Sequence, residues 1–173
     1  TAVVVVPGVS ADETNAQSQL EFANGLFHRG FHSEAIEEYE QYLKQSSDGP
    51  EAVTARLRMG RSAVVIGQYE KALNAFQKAE GGASSAEQRQ EAVVSQGEAL
   101  FFLKRYKDAI GVLAPTVESG AAPETRSRAL YYLGRAYLES GDSMKAVAAL
   151  NTLASELPES LAAPFAQYHL GFA

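Results

Sequence analysis

Apolar and small residues between positions 128 and 147 recur at three- and four-residue steps, which predicts a helical hairpin. Leu130, Leu133, Gly134 and Tyr137 fall on one face of a first helix. The sequence Gly-Asp-Ser at 141–143 interrupts this pattern and supplies a cap for a second helix. The second apolar stripe comprises Ala146, Leu150 and Leu153. The stretch therefore predicts a helix, a tight turn and a second helix.

The hairpin pattern recurs along the chain at a step of 37 residues. In the first helix of each unit, small residues occupy one column: Ala23, Gly60, Gly97 and Gly134. In the second helix, another small column contains Ala35, Ala72, Ala109 and Ala146. The turn column contains Gly30, Gly67, Lys104 and Gly141. A fixed period with matching small residues indicates a solenoid of helical repeats.

The motif Leu133-Gly134-x-x-Tyr137, followed by Ala146, Leu150 and Pro158, resembles the tetratricopeptide repeat (TPR) pattern. The resemblance covers repeats at 13–49, 50–86, 87–123 and 124–160, and a partial fifth at 161–173. It implies an all-α fold, a right-handed superhelix of helical hairpins with four repeats plus the first helix of a fifth. The period exceeds the usual one of about 34 residues. The extra residues fall between repeats.

Repeats of this length are similar to those of bacterial cell-envelope TPR proteins, such as the Tol-Pal-associated coordinator and the outer-membrane assembly lipoprotein. The segment Leu157-Pro158-Glu159-Ser160, which leads into Ala166-x-Tyr168-x-Leu170-Gly171, carries this resemblance. It implies a periplasmic or other cell-envelope location, and a cytoplasmic location is the alternative.

The two ends of the chain depart from the repeat pattern. Residues 1–12 are a leader in which Val3–Val6 is followed by Pro7-Gly8. Three alternatives remain for it: a signal-peptide remnant ending at Val9-Ser10-Ala11, an arm packed on the first repeat or a neighbouring molecule, or a disordered leader. At the other end, the first helix of a fifth repeat is predicted to follow Ser160 directly. No second helix covers it, so we expect the chain to be a fragment of a longer protein, or to dock on another copy.

Composition excludes several function classes. The net charge of -6 argues against nucleic-acid binding, which requires a basic surface. No apolar run approaches the roughly 18 residues of a membrane helix, so no membrane span is predicted. The absence of cysteine excludes disulfides and thiol catalysis.

The sequence offers little catalytic chemistry. His28 and His32 would suit a metal on one continuous helix, but Gly30 lies between them at a predicted turn. Gly81-Gly82 lacks the Lys-Ser/Thr of a phosphate-binding loop. We therefore predict no enzyme, no cofactor and no metal site. Pro115 falls within the second helix of the third repeat, which predicts that this helix is shortened or bent and that the superhelical twist changes locally.

The TPR resemblance implies a binding groove on the concave surface, which the first helices line. One groove column contains Asn24, Arg61, Glu98 and Arg135. The apolar columns beside it contain Leu20, Leu57, Val94 and Tyr131, and Phe27, Val64, Phe101 and Leu138. The predicted partner-binding residues are Asn24, Phe27, Arg61, Glu98, Phe101, Tyr131 and Arg135. The alternative is that the apolar columns pack helix on helix and that the charges are merely solvated.

These patterns predict a non-catalytic adaptor that binds a protein or peptide segment in the groove, with a role in envelope assembly, secretion or division implied by the resemblance. The alternatives are a self-associating scaffold, and hence a homo-oligomer, or a regulatory module of a larger protein. One TPR subclass clamps a C-terminal carboxylate with Lys and Asn. Only Asn24 matches that clamp, since Leu20 and Ser95 replace basic residues, so we expect it to be absent.

Overall fold

The computed structural model describes the backbone of residues 11–171 and the side chains of residues 15–171. The predictions for residues 1–10 and for Phe172 fall outside these described residues. The described chain forms nine helices and no strand. The helices are α1 Ala11–His28, α2 His32–Gln45, α3 Pro50–Val65, α4 Tyr69–Gly82, α5 Ala86–Phe102, α6 Tyr106–Glu118, α7 Pro123–Glu139, α8 Ser143–Glu156 and α9 Ala163–Leu170. This confirms the all-α class, with four hairpins and one further helix.

The hairpins stack into two layers. Each helix packs against its neighbours in sequence, and the odd-numbered helices also contact one another: α1 with α3, α3 with α5, α5 with α7, and α7 with α9. Within the described residues, the even-numbered helices make no comparable contact with one another. The odd-numbered helices, called A helices below, therefore form the inner layer, and the even-numbered B helices form the outer one.

Glycine lets the A and B helices of a hairpin approach closely. A Cβ atom on Gly134 would lie 2.7 Å from Cγ and Cδ2 of Leu150. A Cβ on Gly60 or Gly97 would overlap Phe76 or Leu113 in the same way. These large side chains are almost fully buried against the glycines. The small-residue column of the sequence is thus the site of closest helix packing.

The A helices of the four complete hairpins, α1, α3, α5 and α7, end in the same left-handed turn. The turn column has positive φ throughout: 80° at Gly30, 76° at Gly67, 60° at Lys104 and 85° at Gly141. The following amide closes the turn onto the helix, as when Arg105 N–H donates to the Leu100 carbonyl over 2.9 Å. Glycine adopts this conformation without steric cost, whereas a residue with a Cβ does not.

Replacing Lys104 with Gly should therefore stabilise the protein, by about 0.5–1 kcal/mol. The gain is smaller than the full left-handed penalty because glycine also increases the entropy of the unfolded chain. Urea unfolding followed by circular dichroism measures the change. The reverse substitution Gly141→Lys should destabilise by a similar amount. If Lys104→Gly unfolds at the same or a lower urea concentration, strain at this turn is not significant.

Pro115 lies inside α6 without ending the helix. Helix α6 continues past it to Glu118 and has 13 residues, against 14 in each of α2, α4 and α8. Leu113 and Thr116, on either side of the proline, are buried, so packing holds both parts of the helix despite the lost hydrogen bond. The shortening is a single residue at most, while the predicted bend and change of twist stay predictions.

The start of α9 differs from its prediction. The helix begins at Ala163 rather than directly after Ser160. A start at 161 would place Pro164 at the fourth helical position, whose N–H makes the first intrahelical hydrogen bond. Starting at 163 instead puts Pro164 in the first turn, where no N–H is required. The predicted start is wrong because it took only Pro158 into account.

Candidate binding groove

All seven predicted partner-binding residues lie on A helices. Asn24 and Phe27 are on α1, Arg61 is on α3, Glu98 and Phe101 are on α5, and Tyr131 and Arg135 are on α7. The structure brings Phe101, Tyr131 and Arg135 together. Glu98 belongs to an adjoining ionic network that also reaches Arg61. Asn24 and Phe27 lie separately, in the first hairpin.

An aromatic–arginine cluster, formed by Phe101, Tyr131, Arg135, Phe165 and His169, occupies the C-terminal part of the groove. The guanidinium carbon of Arg135 lies 4.2 Å from the Phe101 ring centroid and 5.4 Å from that of Tyr131. The Tyr131 ring centroid lies 6.1 Å from Phe165 and 5.9 Å from His169. Burial, together with the Arg135 charge, lowers the pKa of His169, which favours the neutral form of its ring. Phe165 is 58% exposed.

A charge ladder runs along the A helices beside this cluster and consists of Arg61, Glu91, Arg128, Glu98 and Tyr132. Glu91 Oε1 accepts from Arg61 Nη2 and Arg128 Nη1, each over 2.6 Å. Arg128 Nη2 donates to Glu98 Oε2 over 3.1 Å. The Tyr132 hydroxyl donates to Glu98 Oε1 over 2.7 Å. The ladder thus connects three successive repeats.

Burial governs the electrostatics of the ladder. It disfavours the charged form of Glu91, but the charge and hydrogen bonds of Arg128, assisted by Arg61, outweigh this and hold the pKa of Glu91 below its usual value. Burial and the neighbouring Glu98 carboxylate raise the pKa of Tyr132, which keeps its hydroxyl protonated as a donor. Glu91 is only 18% exposed, and Arg128 23%. The ladder is therefore a structural network whose charges satisfy one another.

The first hairpin has its own polar contacts. Asn24 Oδ1 accepts from the Tyr39 hydroxyl over 2.8 Å and from Arg58 Nη1 over 2.6 Å. Burial raises the pKa of Tyr39 to about 12, so this hydroxyl stays a donor. The amide of Asn24 thereby joins the first repeat to the second.

Phe27 lies at the turn of the first hairpin. Its ring packs edge-on against His28 at 5.4 Å and against His32 at 6.1 Å between centroids. His28 ends α1 and His32 begins α2, so the two histidines flank the turn, as predicted. His32 Nδ1 lies 3.2 Å from the buried Ser62 hydroxyl.

Six apolar residues near the C-terminal ends of the A helices, beside the turns, are called the apolar wall: Phe27, Val64, Val65, Phe101, Phe102 and Leu138. Val65 is 64% exposed and follows Arg61 by one helical turn, so it lies on the same face of α3 as that groove residue. Nearer the N-terminal ends of their helices, Glu91 and Arg128 carry the charge ladder. The groove is therefore amphipathic across its width.

The sequence prediction missed Glu91, Arg128, Tyr132 and Phe165. Glu91 and Arg128 belong to a column one helical turn before the predicted ones, which contains Gln17, Thr54, Glu91, Arg128 and, one step further, Phe165. The repeat spacing that located the other columns would also have located this one.

The described residues contain no group of three His, Asp or Glu side chains placed to hold a metal ion. None of the helices in this part of the chain is both long and apolar enough to cross a membrane.

The stacked hairpins define a helical-repeat protein with a concave inner layer of A helices. Tetratricopeptide repeat models match residues 20–87, 57–121 and 128–160. The chain belongs to the tetratricopeptide repeat family. Proteins of this family generally mediate protein–protein interactions and are typically non-catalytic.

Solved structures share the fold. MamA residues 41–end from Desulfovibrio magneticus RS-1 is 24% identical, with a TM-score of 0.76, covering 94% of this chain and 84% of that one. YrrB, described as a TPR protein with an unusual peptide-binding site, is 22% identical, with a TM-score of 0.68 and coverage of 94% and 81%. A putative kinesin light chain from Podosopora anserina is 19% identical, with a TM-score of 0.71 and coverage of 94% and 85%. Comparison with curated protein sequences finds no match. At these identities the likeness concerns the fold alone.

Proposed function

We propose that this protein is a non-catalytic adaptor that holds a peptide or an extended protein segment in its concave groove. The observation that carries the proposal is the open apolar surface inside the groove. Val65 and Phe165 expose 64% and 58% of their surface there, beside aromatic and arginine side chains. Aromatic and arginine residues dominate the energetics of protein interfaces.

The amphipathic cross-section supports a segment with one apolar and one polar side. Apolar side chains of such a segment would pack on the apolar wall, while its polar backbone and side chains would face the charge ladder. The peptide-binding site described for YrrB, which shares the fold, is in line with this use of the groove.

Blocking the groove should abolish partner capture. In the double variant Val65→Glu with Phe165→Glu, two carboxylates replace exposed apolar side chains, so the apolar contact is lost while the core is untouched. We expect pull-downs from native extracts, analysed by mass spectrometry, to lose the partner captured by the wild type.

Met144→Glu is the matched control, because Met144 is 86% exposed and lies on a B helix away from the groove. This variant should retain the partner. Equal capture by all three proteins would place the binding surface outside the groove.

Self-association is a second candidate, favoured by exposed apolar side chains at the last helix. Leu161, just before α9, is 81% exposed, and Phe165 on α9 is also open. A scaffold of this kind would show a mass that rises with concentration in sedimentation equilibrium. A constant monomer mass up to high micromolar concentration contradicts it.

For the setting, we propose the bacterial cell envelope, with a role in assembly, secretion or division. The support is the likeness of the 37-residue repeats to those of envelope TPR proteins. Fractionation of source cells, with the protein detected by antibody, tests this. Recovery in the cytoplasmic fraction would contradict it.

A further inference from the structure

We propose that Arg135 is the receptor for an acidic side chain of the bound segment, so that the groove selects Asp or Glu next to an aromatic or large aliphatic residue. This inference rests on the groove being the binding site. It is carried by a difference between Arg135 and two other arginines of the A helices. These are Arg61, in the same repeat column, and Arg128, in the charge ladder.

Those other two arginines already have carboxylate partners. Arg61 pairs with Glu91, and Arg128 pairs with Glu91 and Glu98. Among the described residues, no carboxylate oxygen lies within 4.0 Å of the Arg135 guanidinium. An acidic group of a partner would therefore bind most favourably at Arg135, because no internal ion pair has to be broken there.

The contacts of Arg135 leave its donor edge available. The guanidinium carbon of Arg135 lies over the Phe101 ring, 4.2 Å from its centroid, so the group rests on the face of that ring. The one hydrogen bond from Nη1, to the Tyr131 hydroxyl, is long at 3.4 Å. A stacked guanidinium keeps its N–H groups in its plane, where they can bind a carboxylate in bidentate fashion. The rings thus orient Arg135 without satisfying its hydrogen-bond donors.

The surroundings explain the neighbouring apolar residue. Phe165 lies 6.1 Å from Tyr131 and exposes 58% of its surface. A large apolar side chain packed there would exclude water from Arg135, and an ion pair is stronger where water is excluded. Because the net charge of the protein is -6, long-range attraction does not favour an acidic ligand. Recognition would therefore depend on this short-range contact.

The acid is an internal side chain rather than a chain terminus. The groove does not close beyond Arg135, since Phe165 of α9 lies further along it and is open to solvent. A segment seated on both residues can therefore run past Arg135, as an internal acid requires.

The test uses a phage-displayed library of random dodecapeptides, selected on the wild type and on Arg135→Gln. The wild type should enrich peptides with Asp or Glu close to Phe, Tyr, Trp or Leu, and Arg135→Gln should lose the acidic preference. Selected sequences are then synthesised with amidated C-termini. Changing their acid to the amide should weaken binding to the wild type at least tenfold and to Arg135→Gln less than threefold.

Two further variants make the outcome specific. Lys107→Gln should keep the acidic preference, because Lys107 is exposed on a B helix outside the groove. Arg135→Lys, which keeps the charge but not the planar fork, should retain part of it. The inference is overturned if changing the peptide's acid to the amide weakens binding equally for the wild type and for Arg135→Gln. It is also overturned if binding requires a free C-terminus. Absence of any enrichment relative to the variant Val65→Glu with Phe165→Glu would instead contradict the groove itself.

Discussion

Replacing Arg128 with Gln is expected to lower the free energy of unfolding by about 3 kcal/mol at pH 7. Arg128 holds two carboxylates of the charge ladder, Glu91 and Glu98, at 2.6 and 3.1 Å. Both carboxylates are less than 20% exposed. Removing the arginine leaves them desolvated with too little positive charge, which is more costly than losing an exposed ion pair. Urea unfolding at pH 7 measures the loss.

The effect of this substitution should depend on pH. In the wild type, the pKa of Glu91 is below its unfolded value, so its contribution to stability is present above that value and is lost as pH falls through the folded pKa. In Arg128→Gln, burial of Glu91 dominates and its pKa rises. The folded variant then favours the protonated acid, so its loss of stability grows as pH rises and shrinks towards pH 4.

Arg61→Gln is the matched control within the same ladder. Arg61 also donates to Glu91, but its side chain is 45% exposed, so its loss should cost at most about 1 kcal/mol. Comparable losses for the two arginines, or a loss for Arg128→Gln that is the same at pH 4 and pH 7, would show that the ladder does not stabilise the repeats through charge.

Replacing Gly134 with Ala is expected to lower the free energy of unfolding by about 1 kcal/mol, the difference between the overpacking cost and the gain in helix propensity. Alanine is the better helix former by about 1 kcal/mol, but the added Cβ would lie 2.7 Å from two carbons of Leu150. Leu150 is fully buried, so it cannot move aside without a shift of α8. Overpacking of this kind typically costs 1–3 kcal/mol. Thermal and urea unfolding provide the measurement.

The control is Gly25→Ala in α1, where an added Cβ meets no atom within 4 Å. Helix propensity acts alone there, and the variant should gain up to about 1 kcal/mol. The double variant Gly134→Ala with Leu150→Ala should lose less than the two single losses combined, because the small side chain removes the clash. A neutral or stabilising effect of Gly134→Ala alone would mean that the helices can separate freely.

The repeat columns accounted for the fold because each depends only on local chemistry. Gly60, Gly97 and Gly134 are small where two helices meet, and the turn glycines have the positive φ that the turn requires. Lys104 has the same positive φ as the turn glycines despite its side chain. The groove columns also followed from the repeat, and three residues chosen from separate columns, Phe101, Tyr131 and Arg135, meet in one cluster.

Part of the charge ladder could be predicted from the repeat, since Glu91 and Arg128 lie one 37-residue step apart in the same column. The pairing of Arg128 with Glu98 joins two different columns, so it depends on side-chain reach between helices rather than on the repeat step. The prolines show the same limit. Helix α6 continues through Pro115, beside the buried Leu113, whereas Pro164 delayed the start of α9.

The charge ladder also affects the entropic cost of binding a ligand. Its side chains are already fixed by mutual hydrogen bonds, and Arg135 is held between aromatic rings. A long side chain that must be ordered on binding costs about 0.5–1.5 kcal/mol in lost conformational entropy. In this groove most of that ordering has occurred during folding. The entropic cost of association would therefore fall mainly on the incoming segment, so stiffening that segment is a direct route to tighter ligands.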